Sequence, residues 1–210
     1  MSSPLPVGIL VSGSGTNLQA IIDQQESGDL PIDIKIVISN VEAVLALQRA
    51  QRHGIDTRYI SHKSFASRLA FDIELTRVLE KYRVELVVLA GFMRLLSSDF
   101  VAHWKHRLIN VHPSILPAFP GLHAQRQAID YGAKLSGCSV FFVDEGMDTG
   151  SSIIQAAVPV LSDDTEESLS ERILREEHRI LPQAIRWIAE GAIRIEGRRI
   201  YTPENNSEVN

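Results

Sequence analysis

The fold is indicated by residues 7–22, which read VGILVSGSGTNLQAII. Residues 7–11 are a compact apolar run, and residues 12–17 are a polar loop rich in glycine. Leu18 and Ile22 then lie four residues apart, on one face of a helix. This order predicts a strand, a tight loop and a helix, which is the unit that alternates along doubly wound α/β sheets.

The same alternation continues along the chain. Further strands are predicted at residues 32–38, 57–60, 85–90, 108–112, 139–143 and 153–160, and helices near 43–50, 65–82, 98–104, 124–131 and 164–190. The strand at 85–90 is apolar on both faces, which is typical of a parallel strand covered by helices. The connection between the last two strands is too short for a crossover helix, so these two should be antiparallel. We therefore predict an α/β fold with a doubly wound, mostly parallel, Rossmann-like sheet and antiparallel strands toward the C-terminal side.

The C-terminal third carries more detailed signals. Asp164 and Glu167 resemble a capping box that opens the long helix, and Pro182 is expected to kink that helix or to end its first part. Residues 194–200 are predicted to form a hairpin. We expect one domain over residues 1–202 and a disordered polar tail at residues 203–210.

Composition excludes several classes of protein. Of the 210 residues, 44% are apolar, which is enough to build a core, and 21 basic against 26 acidic residues give a net charge of −5. The net negative charge gives no positive electrostatic field that would bind the phosphate backbone of a nucleic acid. No apolar run is long enough to span a bilayer. The N-terminus lacks a signal-peptide pattern, and the lone cysteine, Cys138, fits a reducing compartment as a small buried residue. We expect a cytoplasmic protein with no nucleic-acid, membrane or metal partner.

The first loop has part of a nucleotide-binding pattern. Gly13 and Gly15 match two glycines of the dinucleotide fingerprint, but Leu18 stands where the third would be, and Asn40 stands where an acidic ribose partner would be. No lysine follows the glycines, which argues against a nucleoside-triphosphate P-loop. The pattern favours a helix N-terminus that binds one phosphate or a similar anion, and a tight turn without a ligand is the alternative.

Polar residues at the end of one strand suggest catalysis. Asn110 and His112 lie two apart, so their side chains leave the same face of the strand about 7 Å apart. Asp148, after the neighbouring strand, is placed where a carboxylate could reach the imidazole. Acyl or formyl transfer suits this set, because the amide can stabilise an oxyanion and the carboxylate can pair with the histidine. The nucleophile would be supplied by a substrate. A structural histidine is the alternative.

Two further patterns resemble functional sites. His103 and His106 have metal-ligand spacing but no clear carboxylate or cysteine partner, so we predict no metal site. Residues 148–150 (DTG) match the surroundings of an aspartic-protease carboxylate, yet those enzymes need two such carboxylates in an all-β frame.

Four segments together resemble the formyltransferase family. They are SGSGTN at 12–17, LAGFMRLL at 89–96, INVHPSILP at 109–117 and VDEGMDTG at 143–150, within a likeness that covers residues 7–200. The resemblance is to the branch that uses 10-formyltetrahydrofolate as co-substrate to formylate the amine of 5-phosphoribosylglycinamide in purine biosynthesis. It implies a one-carbon transferase with small-molecule partners, acting as a monomer or homodimer.

The resemblance also implies a role for each site residue. Asn110, His112 and Asp148 would be catalytic. The ribonucleotide would contact Gly15, Thr16 and Asn17 through its phosphate, and Glu177 through its ribose. Without the resemblance, Glu177 would be interpreted as a solvated carboxylate on the face of a helix. The folate would contact Arg68, Met93, Arg94, Leu95, Leu96, Asn110, Asp144, Glu145, Gly146, Met147 and Asp148. The alternatives are that Arg68 is an ordinary surface arginine and that residues 93–96 only pack against the rest of the fold.

Rival functions share parts of this pattern. Methionyl-tRNA formyltransferase has the same catalytic set but needs a further basic domain, and formyltetrahydrofolate hydrolase has an additional N-terminal domain. A binding module without turnover is the rival from a different class. Ser151, Ser152 and Gln125 depart from residues common in the family, at positions that affect the rigidity of the loop and fine contacts with substrate and leave the proposed chemistry intact.

Overall fold

The alternation of strands and helices is present in the computed structural model, which describes residues 3–204. A first compact unit extends to Asn110. Its elements in chain order are β1 (Leu5–Val11), α1 (Thr16–Glu26), β2 (Ile32–Ser39), α2 (Leu45–Arg52), β3 (Thr57–Tyr59), a 3₁₀ turn (His62–Ser64), α3 (Arg68–Lys81), β4 (Leu86–Leu89), α4 (Ser98–His103) and most of β5 (Leu108–His112).

Strands β1 to β5 are parallel and lie in the order β3-β2-β1-β4-β5. Leu10 pairs with Ile38 on one side and with Leu89 on the other, and Leu89 pairs in turn with Asn110. The carboxyl ends of β1, β2, β4 and β5 therefore share one edge of the sheet. Ligands bind at that edge in parallel α/β folds, so the loops that begin there are the first place to look for a site.

The second compact unit begins at Val111, inside β5. It contains α5 (Ala124–Tyr131), β6 (Leu135–Phe142), β7 (Ser152–Pro159), α6 (Glu166–Ala189), β8 (Arg194–Glu196) and β9 (Arg199–Tyr201). Strands β6 and β7 are antiparallel, with Ser139 opposite Gln155, and the strand order continues from β5 through β6 to β7. The predicted α/β fold is confirmed, as is the terminal hairpin, which β8 and β9 form.

The described part of the chain divides into the two compact units given above. The single domain expected over residues 1–202 stays a prediction, and most of the tail expected at 203–210 lies outside the described residues, which end at 204. Cys138 is fully buried in β6, as the sequence indicated. Burial raises the pKa of its thiol, so this side chain stays protonated and inert.

Two elements begin three or four residues away from their predicted starts. The third helix was expected from residue 65, but residues 62–64 form a 3₁₀ turn and α3 begins at Arg68. The Ser67 hydroxyl fixes that start, because it accepts a hydrogen bond from the backbone N–H of Ala70 at 3.1 Å. Strand β6 begins at Leu135, four residues before its predicted start.

The capping of α6 differs from the prediction by one residue. Thr165, not Asp164, caps the helix: its hydroxyl accepts from the N–H of Ser168, whose own hydroxyl accepts from the N–H of Thr165. The prediction of Asp164 and Glu167 as the capping pair is therefore wrong. Pro182 does not end the first part of the helix, since α6 runs through it from Glu166 to Ala189.

Asp164 instead holds the loop before α6 against the helix. Its two carboxylate oxygens accept from Arg172 Nη1 and Nη2 at 2.7 and 2.8 Å. Oδ1 also accepts from the Ser168 hydroxyl and Oδ2 from the N–H of Leu161, each at 2.7 Å. Mainly because of Arg172, the pKa of this carboxyl lies well below its usual range.

Asp164→Asn is expected to lower the melting temperature at neutral pH by about a few degrees. Because folding lowers the pKa of Asp164, its stabilisation is present above the ordinary aspartate pKa of about 3.9 and is lost as the pH falls below it. Thermal unfolding followed by circular dichroism at decreasing pH should show the two proteins converge in acid. Asp130→Asn, at an exposed aspartate on α5, is the control, and a pH-independent difference would contradict this account.

Candidate functional site

Ser12 joins three loops at the carboxyl edge of the first unit's sheet. Its N–H donates to the carbonyl of Gly91 at 3.0 Å, and its hydroxyl donates to Asn40 Oδ1 at 2.6 Å. The same hydroxyl accepts from the N–H of Met93 at 2.9 Å. The segments after β1, β2 and β4 are therefore tied together. Sequence reasoning missed this role of Ser12, although polar residues directly after neighbouring strands are a usable signal.

The glycine loop turns tightly into α1. Gly15 caps the helix with φ of 72°, and a Cβ at this position would lie 2.6 Å from the Cβ of Ala46. Only glycine meets both constraints. No side chain caps the helix and its first turn has no acidic residue, so backbone N–H groups at Thr16 and Asn17 lie at a helix terminus that favours an anion.

The segment after β4 presents apolar side chains to solvent. Met93 is 70% exposed and Leu95 is 57% exposed, so simple packing does not account for these two residues. Arg94 and Leu96 are half-buried, and the Arg94 guanidinium lies over the ring of Phe71, 5.6 Å from its centroid. Exposed large apolar groups beside a cation suit a flat ligand with an anionic end.

A buried carboxylate organises the cations near this segment. Asp72 of α3 is 1% exposed, and its Oδ2 accepts from the N–H of Ser97 at 2.6 Å. Burial raises the pKa of Asp72, and the charges of Arg68 and Arg94 oppose that rise. Arg68, the first residue of α3, is thus brought into the same electrostatic cluster as Arg94. Sequence reasoning did not identify Asp72.

In the second unit, the structure brings His112 and Asp148 together. His112 Nε2 donates to the carbonyl of Phe119 at 2.9 Å, and Nδ1 lies 3.4 Å from Asp148 Oδ2. A carbonyl only accepts, so Nε2 carries a hydrogen and Nδ1 is the nitrogen that faces the carboxylate. The side chains are 7% and 14% exposed, which limits screening of their interaction by water. Asn110 lies two residues before His112 on β5 and is half-buried.

The loop that carries Asp148 is fixed by its own contacts. Asp148 has φ of 55°, and its Oδ2 accepts from the N–H of Gly121 at 2.8 Å. Asp144 Oδ1 accepts from the N–H of Gly146 at 3.1 Å and from the Thr149 hydroxyl at 2.6 Å. Glu145 and Met147 are exposed on this loop. A left-handed aspartate at a candidate site is backbone strain that the surrounding contacts maintain.

A buried polar network supports the loop between His112 and Gly121. The Ser139 hydroxyl donates to the carbonyl of Ser114 at 2.7 Å and accepts from the N–H of Leu116 at 3.0 Å. Gln155, opposite Ser139, donates to the Ser139 hydroxyl at 2.8 Å and to the Leu116 carbonyl at 2.9 Å. Strands β6 and β7 thus shape the loop whose Phe119 carbonyl holds the imidazole. Sequence reasoning missed both residues.

Ser139→Ala is expected to destabilise the fold by about 1–3 kcal/mol. The buried N–H of Leu116, the carbonyl of Ser114 and the side-chain amide of Gln155 would each lose one hydrogen-bond partner. Ser136→Ala is the matched control. Ser136 is also buried in β6, but its hydroxyl has no hydrogen-bond partner among residues 3–204, so its removal should cost little. Urea unfolding measures both variants, and equal losses of stability would contradict the role given to the network.

Glu177 lies on the buried face of α6. This residue is 7% exposed. The buried residues Ile173, four positions earlier, and Ile180, three positions later, lie on the same face of the helix. The interpretation of Glu177 as a solvated carboxylate is therefore wrong. Its charge contributes to the raised pKa of Cys138, although burial of the thiol contributes more.

The histidines and acidic residues outside this site form no metal centre within residues 3–204. In that range no three His, Cys, Asp or Glu side chains converge as metal ligands would. His103 Nε2 lies 3.1 Å from Glu80 Oε1, and His106 occupies a turn with φ of 59°. None of the helices described is both long enough and apolar enough to cross a bilayer.

Comparisons with known proteins identify relatives over most of the chain. The family model "Formyl transferase" matches residues 6–185. The trifunctional purine biosynthetic protein adenosine-3 of Drosophila melanogaster is 51% identical over 204 residues, which are 96% of this chain but only 15% of that protein. The phosphoribosylglycinamide formyltransferase of Escherichia coli is 43% identical over 187 residues, 89% of this chain and 88% of that enzyme.

A solved structure extends the likeness to three dimensions. Glycinamide ribonucleotide transformylase 1 from Symbiobacterium toebii superposes with a TM-score of 0.94 and 50% identity. The match covers 96% of this chain and 95% of that one. The similarity therefore includes both units described above.

Proposed function

Because this chain belongs to the formyl transferase family, we propose that it transfers the formyl group of 10-formyltetrahydrofolate to the amine of 5-phosphoribosylglycinamide. The names of the Escherichia coli and Symbiobacterium toebii relatives support this acceptor. The observation that carries the proposal is the His112–Asp148 pair, with Asn110 two residues earlier on β5. Such a set suits transfer of an acyl group to a nucleophile that the substrate brings.

The ribonucleotide is bound through its phosphate and its ribose. The N–H groups of Gly15, Thr16 and Asn17, at the N-terminus of α1, favour the phosphate dianion. Glu177 accepts hydrogen bonds from the ribose hydroxyls, and its buried position strengthens those bonds because water screens them less.

The folate is bound by an apolar surface and by cations. Met93 and Leu95 pack against the flat ring system, which explains why they are exposed in the structure. Backbone groups of residues 93–96 and 144–148 recognise the polar edge of the pterin. Arg68 and Arg94 attract the carboxylates of the glutamate end, and both charges also act on the buried carboxyl of Asp72.

In the reaction the substrate amine attacks the formyl carbon, which forms a carbon–nitrogen bond and a tetrahedral oxyanion. The side-chain amide of Asn110 donates to that oxyanion, and the imidazolium form of His112 stabilises its charge. His112 faces Asp148 through Nδ1, because Nε2 donates a hydrogen bond to the carbonyl of Phe119. Asp148 stabilises the imidazolium. The carbon–N10 bond then breaks, and the amine's proton is passed to the departing N10, giving formylated product and tetrahydrofolate.

The experiment is a spectrophotometric assay of purified protein with 10-formyltetrahydrofolate and 5-phosphoribosylglycinamide. Formation of tetrahydrofolate only when the ribonucleotide is present supports the proposal. Release of formate without the amine would indicate a hydrolase, and turnover that requires methionyl-tRNA would indicate the tRNA enzyme. Binding of either substrate without any turnover would leave a binding module, and each of these three results overturns the proposal.

A further inference from the structure

Helix α2 holds the glycine loop through two backbone carbonyls. The N–H of Ala46, in the first turn of α2, donates to the carbonyl of Gly13 at 3.2 Å. One turn later, Arg49 Nε donates to the carbonyl of Ser14 at 2.9 Å. A peptide group is planar, so fixing its carbonyl also fixes the N–H of the next residue. The directions of the Ser14 and Gly15 N–H groups are therefore set by α2.

Arg49 also brings positive charge to the loop. Residues 12–20 (SGSGTNLQA) contain no lysine or arginine, so the loop and the first turn of α1 carry no cation of their own. The guanidinium hydrogen-bonded to Ser14 supplies one next to Gly15. Because that bond polarises the Ser14–Gly15 peptide, it also makes the Gly15 N–H a stronger donor to an anion.

A chain of hydrogen bonds holds Arg49 in this position. Its Nη1 donates to Gln19 Oε1 at 3.2 Å. The amide nitrogen of Gln19 donates to Asp23 Oδ1 at 2.8 Å and lies 3.2 Å from His53 Nε2, while His53 Nδ1 lies 2.6 Å from Glu26 Oε1. With its nitrogen engaged by Asp23 and His53, Gln19 must direct its oxygen toward Arg49.

We propose that Arg49 is a positioning residue that sets the affinity of the site for the substrate's phosphate. Arg49 acts through the Ser14–Gly15 peptide, whose N–H it orients and polarises, and Gln19 keeps Arg49 in place. This inference rests on the proposed function, because it takes the glycine loop to be the phosphate site. It predicts that changes at Arg49 affect the ribonucleotide and leave the folate and the chemical step alone.

Arg49→Gln is expected to raise the KM for 5-phosphoribosylglycinamide about 10- to 100-fold, the size of a lost charge-assisted hydrogen bond. The KM for 10-formyltetrahydrofolate and kcat should stay within about twofold of the unchanged protein. Arg49→Lys keeps the charge but not the forked geometry, so it should recover only part of the affinity. Arg52→Gln, at an exposed arginine on the same helix, is the control and should leave every constant unchanged.

Gln19→Leu tests the chain of hydrogen bonds behind Arg49. It should raise the KM for the ribonucleotide about several-fold, in the same direction as Arg49→Gln and by less, because the guanidinium keeps its bond to Ser14. Equal changes in both KM values together with a lower melting temperature would mean a merely structural role, and so would overturn the inference. Wild-type behaviour of Arg49→Lys would also overturn it, since charge alone would then suffice.

Direct binding separates this inference from the proposed function. The full chain is titrated with inorganic phosphate while the Gly15 amide resonance is followed by NMR. Weaker phosphate binding by Arg49→Gln supports the role of Arg49 even if the chain does not formylate the ribonucleotide. Turnover of the ribonucleotide with an unchanged KM in Arg49→Gln would leave the proposed function standing and overturn the inference.

Discussion

Replacing His112 with alanine is expected to reduce kcat about 100- to 10,000-fold while leaving the KM for the ribonucleotide nearly unchanged. In the proposed reaction the imidazolium stabilises the oxyanion, and its Nδ1 lies 3.4 Å from the Asp148 carboxylate. It lies on β5, whereas the amides proposed for the phosphate lie at the start of α1. Loss of the imidazole should therefore impair the chemical step rather than nucleotide binding. Steady-state and single-turnover kinetics on the purified variant measure the effect.

A second variant separates chemistry from folding. His112→Gln keeps an N–H that can donate to the carbonyl of Phe119, so it should preserve the loop and the melting temperature, yet it cannot titrate. We expect it to be about as inactive as the alanine variant. His103→Gln, at a half-exposed histidine beside Glu80, is the matched control. A His112→Gln enzyme with near-normal kcat would show that this histidine is structural.

The fold could be predicted because its signals are local. The apolar run, glycine loop and helical spacing of residues 7–22 lie within one short window, and the short β6–β7 connection imposes the antiparallel pair. The cap of α6 was misplaced for an equally local reason. Asp164 and Thr165 are adjacent and both are good N-cap residues, and the choice between them depends on Arg172, eight residues after Asp164.

The candidate site was only partly predictable. Asn110 and His112 follow from the two-residue period of one strand, and Asp148 follows from its place after another. Ser139 and Asp72 were missed because each acts through a side-chain bond to backbone more than twenty residues away in sequence. Arg49 was missed for the same reason, since its partner Ser14 lies thirty-five residues earlier. Such bonds leave no periodic pattern, so they need the tertiary structure.

Asp148→Asn is expected to reduce kcat to a similar extent, about 100- to 10,000-fold, without unfolding the protein. Asparagine tolerates the left-handed backbone that Asp148 adopts at φ of 55°, and its carbonyl oxygen can still accept from the N–H of Gly121. That oxygen takes the place of Asp148 Oδ2, which is also the atom that faces His112 Nδ1. It carries no full negative charge, so the imidazolium that Asp148 stabilises in the proposed reaction is no longer favoured.

The measurement compares kcat, both KM values and the melting temperature of Asp148→Asn with those of Asp130→Asn, an exposed residue on α5 that undergoes the same change of charge. Unchanged melting temperatures with a large loss of kcat in the first variant alone would place the carboxylate in the chemistry. Since the Gly121 contact survives the substitution, a fall in stability would instead indicate that Asp148 serves mainly to hold its own loop. An Asp148→Asn enzyme within about threefold of normal activity would remove this residue from the mechanism and leave His112 to work without a charged partner.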